Sequence, residues 1–232
     1  METPRMFRWL RRLDPEHSGL ARMKRHFGEM LEEGRHIFDA ASNAFLGGVD
    51  PSVVEEDLFA TDKNINRLER QIRREIVIHG SVHGSTELPQ CLVMMSIAKD
   101  AERIGDYCKN LYDLAAIRTK SKDDAYFKDL VDLKNQISHL MAEARGLYMS
   151  QDEPQARDFM RRAGALQRHC DAKVDELLAA EPATKQPAAT VLCYRYFKRV
   201  VAHTLNIVTS IVMPVDKLDF LDEDPETRDS EE

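Results

Sequence analysis

Residues 100–113 read DAERIGDYCKNLYD. Glu102, Asp106 and Asn110 recur every four residues and Asp113 follows three later, so at roughly 100° per residue all four fall within an arc of about 80°. Val93, Ile97, Ile104, Cys108, Leu111 and Ala115 form an apolar arc, and most of the acidic column lies across the helix from it. The stretch therefore predicts a long amphipathic helix with one core face and one face that concentrates oxygen ligands.

The same three- and four-residue apolar period runs through the rest of the chain, and no convincing period-two run occurs. Proline and glycine divide it into six long segments, which predicts an all-α protein. The expected helices run from about Leu20 to Leu46, Asp50-Pro51 to Ile78, Ser85 or Thr86 to Thr119, Asp123 to Met149, Pro154 to Ala180 and Pro187 to Met213. Gly47-Gly48 reads as a stop and Asp50-Pro51 as a cap with proline in the first turn. HGSVHGST, residues 79–86, reads as a loop, in which His79 and His83 are expected to be exposed and silent. Helices of about 25 residues on short loops must lie antiparallel, as two tandem three-helix bundles.

The halves also resemble each other. ERIGDYCKNLYD aligns with KRVVAHTLNIVT, matching Arg103 with Arg199, Ile104 with Val200 and Asn110 with Asn206, while DKNIN (62–66) aligns with DAKVD (171–175). Internal duplication is the economical explanation. The expected organisation is a basic amphipathic segment at 1–19, a first repeat at 20–119, a second at 120–214 and an acidic tail at 215–232.

The chain has 232 residues, 43% hydrophobic, enough for a sizeable core. No apolar run is long enough to span a bilayer, and the charged start does not read as a signal peptide, so a cytoplasmic location is expected. The four cysteines (Cys91, Cys108, Cys170, Cys193) lack CxxC spacing and read as small core residues. A net charge of -7 argues against a general nucleic-acid binder. The charge is uneven: Arg5, Arg8, Arg11 and Arg12 meet no acid, whereas nine acids between Asp216 and Glu232 face only Lys217 and Arg228.

The acidic column has a plain reading as a solvated face, since Lys99 with Glu102, Asp106 with Lys109 and Lys109 with Asp113 sit at ion-pairing steps. Against it, Glu102 and Asp106 are like charges one turn apart, which costs roughly 0.2–0.5 kcal/mol unless a cation intervenes. The second helix carries a matching column, Asp62, Asn66 and Glu69, beside its apolar stripe Leu58, Ile65, Leu68 and Ile72. Two such columns could surround hard cations; with no histidine in either, iron, manganese, magnesium or calcium are favoured over copper, and zinc stays open.

ERIGDxxxN closing a three-helix unit that is then repeated, together with DKNINRLE at 62–69, resembles the PhoU family of phosphate-response regulators. The resemblance implies two three-helix bundles bearing iron or zinc clusters at E/DxxxD motifs; magnesium or manganese are candidates from the oxygen ligand set alone. It also implies restraint of phosphate uptake and starvation signalling through a phosphate transporter and a sensor kinase at the inner face of the membrane. Carried over by position, the metal set is Glu102, Asp106 and Asn110, with Asp62, Asn66 and Glu69 on the second helix. The second repeat departs: Lys198 replaces the first acid and Ala202 the aspartate, so a comparable cluster is not expected there and Asp171 and Asp175 read as surface acids. That divergence suggests a specialised relative, such as an accessory of a phosphate permease or of sodium-phosphate cotransport.

In RMFRWLRRL, residues 5–13, Met6, Trp9, Leu10 and Leu13 fall on one side and the arginines elsewhere, a pattern suited to anionic lipid, to a transporter face or to packing on the bundle. His203 projects away from the acid column and is not assigned as a ligand. No catalytic motif emerges, and a regulatory adaptor is the reading carried forward. The competing class is a carboxylate-bridged metalloenzyme. Self-association into a homodimer stays open.

Overall fold

Gly47 adopts φ 79°, the left-handed geometry that ends the first helix, and its N–H and that of Gly48 reach back to the Ala44 and Asn43 carbonyls at 3.2 and 2.9 Å. Asp50 then opens the next helix, its carboxylate accepting from the Ser52 N–H at 3.0 Å and the Ser52 hydroxyl at 2.8 Å. The computed structural model describes residues 19–83, 86–117, 126–179 and 185–218. Its helices are α1 (Gly19–Phe45), α2 (Pro51–His83), α3 (Leu88–Ile117), α4 (Phe127–Ser150), α5 (Glu153–Ala179) and α6 (Lys185–Val212), followed by a 3-10 turn at Val215–Lys217. No strand occurs among these residues, so the expected all-α architecture is observed.

The expected boundaries hold to within a few residues, except at the end of α2. That helix continues beyond Ile78 to His83, through the stretch read as a loop. A glycine at position 80 costs roughly 1 kcal/mol against alanine in a helix, but tertiary contacts outweigh it here. His79 is 6% exposed and its Nε2 engages the Glu87 carboxylate across the hairpin. Its Nδ1 lies so near Gly19 that a β-carbon there would stand 2.6 Å away. His79 is thus a buried hinge pin between three helices and not an exposed loop residue; the side chain of His83, residues 5–13 and the acids beyond Leu218 lie outside the described residues.

α1, α2 and α3 pack mutually, as do α4, α5 and α6, although α4 meets α5 sparingly. The two bundles join through like elements, α3 against α6 and α1 against α4, leaving α2 and α5 on the flanks. One core runs through both: Phe27 meets Tyr148 edge-on at 4.6 Å and Phe38 meets Phe197 at 5.4 Å. All four cysteines are free and buried, as their positions suggested, and burial drives the Cys108 thiol well above its ordinary range, with Asp39 and Asp62 adding to it. No described helix is long and apolar enough to cross a membrane.

Candidate functional site

The polar columns of α2 and α3 meet along the flank of the first bundle. Gly105 makes the approach close, since a β-carbon there would stand 3.3 Å from Asp62 Oδ1 and 3.6 Å from Ile65 Cδ1. Asp62 takes Asn66 Nδ2 at 3.2 Å from its own helix. Its cross-helix partner is Lys109, whose Nζ is 3.1 Å from Asp62 and 3.0 Å from Asp106. Asp106 also accepts from Arg103 at 3.3 Å. Burial lowers the Lys109 pKa, but hydrogen bonds to Asp106 and Asp62 overcome it and the ammonium is held more firmly charged than usual.

Glu69 and Glu102 lie one turn further along. Glu69 is buried, with Arg73 at 2.6 Å as its counter-ion. Glu102 has its pKa raised, first by burial and then by the like charges of Asp106 and Glu69, with Lys99 and Arg103 opposing. Asn110, the last member of the column, is exposed. An open groove of about 410 Å³ runs beside these groups, lined by Asp62, Lys63, Asn66, Glu69, Arg70 and Arg73.

The structure therefore brings Asp62, Asn66 and Asp106 together, sets Glu69 and Glu102 within electrostatic range, and leaves Asn110 apart in solvent. What occupies the centre is an ammonium. With Lys109 between the two aspartates, the donor set is already neutralised, and among the described residues no group of three or more His, Cys, Asp or Glu is disposed to hold a metal ion. As arranged, these residues do not fit the iron or zinc cluster that the resemblance implied.

The second bundle repeats the device with different residues. Lys198 Nζ of α6 engages Asp171 of α5, and Arg195 approaches the same carboxylate at 3.6 Å. Asp171 is thus tied across the helix pair instead of standing as a plain surface acid. His203 points into the joint between the bundles, its Nδ1 2.7 Å from Asp100 and its ring stacked on Tyr107 at 5.6 Å.

Two of the polar clusters that escaped sequence reasoning centre on aspartates. Asp100, buried on α3, accepts from Asn206 at 3.1 Å as well as pairing with His203. Asp129 of α4 meets His169 of α5 at 2.9 Å and accepts from the Tyr194 hydroxyl of α6 at 2.6 Å. Both are cross-helix contacts separated by many residues, so no local spacing announces them.

Tandem three-helix bundles joined through equivalent helices, with acid and amide columns on a flank, define a class of duplicated helical protein. Residues 27–115 match the PhoU domain. The crystal structure of PhoU from Pseudomonas aeruginosa superposes with a TM-score of 0.74 at 18% identity, covering 84% of this chain and 95% of that one. The phosphate transport system regulatory protein PhoU from Streptococcus pneumoniae superposes at 0.69 and 15% identity, over 84% and 95% of the two chains. Among curated proteins no sequence match is found. The similarity to the PhoU domain lies within the first repeat, and the similarity of fold to the two PhoU structures runs through both bundles.

Proposed function

We propose that the chain is a cytoplasmic adaptor that restrains phosphate uptake and phosphate-starvation signalling by docking on a phosphate transporter or its sensor kinase. The observation that supports this most directly is the PhoU domain at 27–115, seated in a fold shared with a phosphate transport system regulatory protein. The role is non-catalytic: Lys109, held by Asp106 along α3, ties Asp62 of α2 across the helix pair, and Glu69 is pinned by Arg73 along α2 beside a charged groove. Lys109 supplies the positive charge that a divalent ion would otherwise bring to this flank.

Deletion of the gene tests the reading. Phosphate uptake and a phosphate-starvation reporter should both rise in phosphate-replete medium, and unchanged values in both would refute it. A narrower version, an accessory of a phosphate permease or of a sodium-phosphate cotransporter, draws support from the second repeat. There Lys198 and Ala202 replace the acids of the first, and the family match ends at residue 115. Co-purification with the permease from solubilised membranes, without the kinase, would favour that version.

A further inference from the structure

We propose that the outward face of α2 is a docking surface for the chain's own acidic segment, residues 219–232, which covers it against other anions; the proposal does not depend on the phosphate reading. Lys63, Arg67, Arg70 and Arg74 are all exposed. At roughly 100° per residue they fall within an arc of about 60°, opposite the buried stripe of Leu58, Ile65, Leu68 and Ile72. Like charges one turn apart repel, yet among the described residues none of the four is held in an ion pair. Arg67 donates to the Asn64 and Gln71 side-chain oxygens at 2.8 and 3.1 Å, and Arg70 to the Asn66 carbonyl at 3.1 Å. Glu33, in electrostatic range of Arg67, is half-buried and bonded to Asn64.

The acids interleaved with the stripe are engaged elsewhere: Asp62 with Lys109, Glu69 with Arg73, and Glu75 with Arg22 and His26 at 3.8 and 3.5 Å. The other flank is built differently. On α5, Arg161, Arg162 and Lys173 each meet an acid. An uncompensated row of cations on a long, fully formed helix calls for an anionic occupant. Eight acids and one arginine give residues 219–232 a charge of -7, which is the whole formal net charge of the chain.

Topology delivers that segment to the right end of α2. α6 runs antiparallel to α3, His203 meeting Asp100 and Arg199 meeting Tyr107, so the turn at Val215–Lys217, which rests on α3, lies toward the start of that helix. α3 is antiparallel to α2 in turn, Lys109 meeting Asp62 and Glu87 meeting His79. Leu218 is therefore left at the Val77–Ile78 end of α2. Beyond it come Phe220 and Leu221, then Asp222, Glu223, Asp224 and Glu226. Back along α2 come exposed Val77 and Ile78, then the four cations. The two orders match. From Ile78 to Lys63 the helix runs about 22 Å, and 14 extended residues span up to about 46 Å. Arg5, Arg8, Arg11 and Arg12 offer other cations, but α2 holds its own at fixed one-turn spacing in the order the segment requires.

The test is carbodiimide coupling of the full chain, which joins lysine amines to carboxylates in contact, read by mass spectrometry on an equal mixture of 14N and 15N protein. Lys63 should couple to acids of 222–232 in preference to Lys99 and Lys128, which are also exposed, and within single chains. Arg70→Glu with Arg74→Glu, or 0.5 M NaCl, should each lower the yield by about tenfold. Adding Asp222→Arg and Glu223→Arg to the first pair should restore it. Arg11→Ser with Arg12→Ser should leave it unchanged. Arg70 and Arg74 are exposed, so circular dichroism should report an unchanged fold. Four results would overturn the proposal: coupling shared evenly among the three lysines, a yield indifferent to charge reversal on α2, loss of coupling in the Arg11→Ser, Arg12→Ser protein, or links of mixed isotope. The last would mean that the segment reaches a second copy.

Discussion

Lys109 is the residue on which the flank of the first bundle turns. Its ammonium is a cation with a covalent tether, positioned between Asp62 and Asp106 where two helices present oxygens. Lys109→Met keeps the alkyl stem and removes the charge, leaving two half-buried carboxylates facing each other. The expected cost is about 1–2 kcal/mol, read as a lowered midpoint in urea unfolding. Added Mn²⁺ should restore thermal stability to that variant and leave the parent unmoved, because an ion stabilises only the form it binds. Glu102 behaves in the opposite sense. Its folded pKa is raised, so its contribution is fully present below the unfolded value and is lost as pH rises through the folded one. Glu102→Gln should therefore raise the melting temperature by about 1–2 °C at neutral pH, with the gain vanishing in acid. The sequence made both acids visible through their spacing. It paired Lys109 only within its own helix, because the reach to Asp62 depends on the register of α2 against α3, which no single-helix pattern carries.

At the scale of the helix, α4 makes few contacts with α5, and Asp129 with His169 is one of their polar connections, beside the Arg162–Glu143 fork. Burial raises the Asp129 pKa, but hydrogen bonds from Tyr194 and His169 lower it further, and the net direction is downward. A depressed carboxylate contributes stability above its unfolded pKa and loses it as pH falls through the folded one. Asp129→Asn should thus destabilise by about 1 kcal/mol at neutral pH and show a shallower loss on acidification, the two proteins converging below the folded pKa. Pro, Gly and the apolar period made five of six helices legible to within a few residues. The end of α2 was misread because local signals, two glycines and two histidines, indicate a loop, while the force that extends the helix is the burial of His79 against Gly19 and Glu87.

At the scale of the molecule, the joint between the bundles holds one buried acid. Asp100 is satisfied by His203 and Asn206, all three from the paired helices α3 and α6. His203→Ala leaves that carboxylate with a single amide partner, and the expected penalty is about 3 kcal/mol, measured by urea unfolding at neutral pH. The duplication was legible from ERIGDYCKNLYD and KRVVAHTLNIVT, yet not the way the halves meet. Which faces join is decided by apolar residues such as Phe38 and Phe197, distant in sequence and indistinguishable there from ordinary core.

The joint sets like against like, α3 on α6 and α1 on α4, with α1 beginning and α6 ending at one extremity. Such an object is indifferent to which half is written first. A circular permutant opened within 118–125 and closed through 219–232 and 1–18 would rebuild the same six rods in the order four, five, six, one, two, three. The two halves correspondingly have the geometry of a pair of subunits that a single polypeptide has since sewn together.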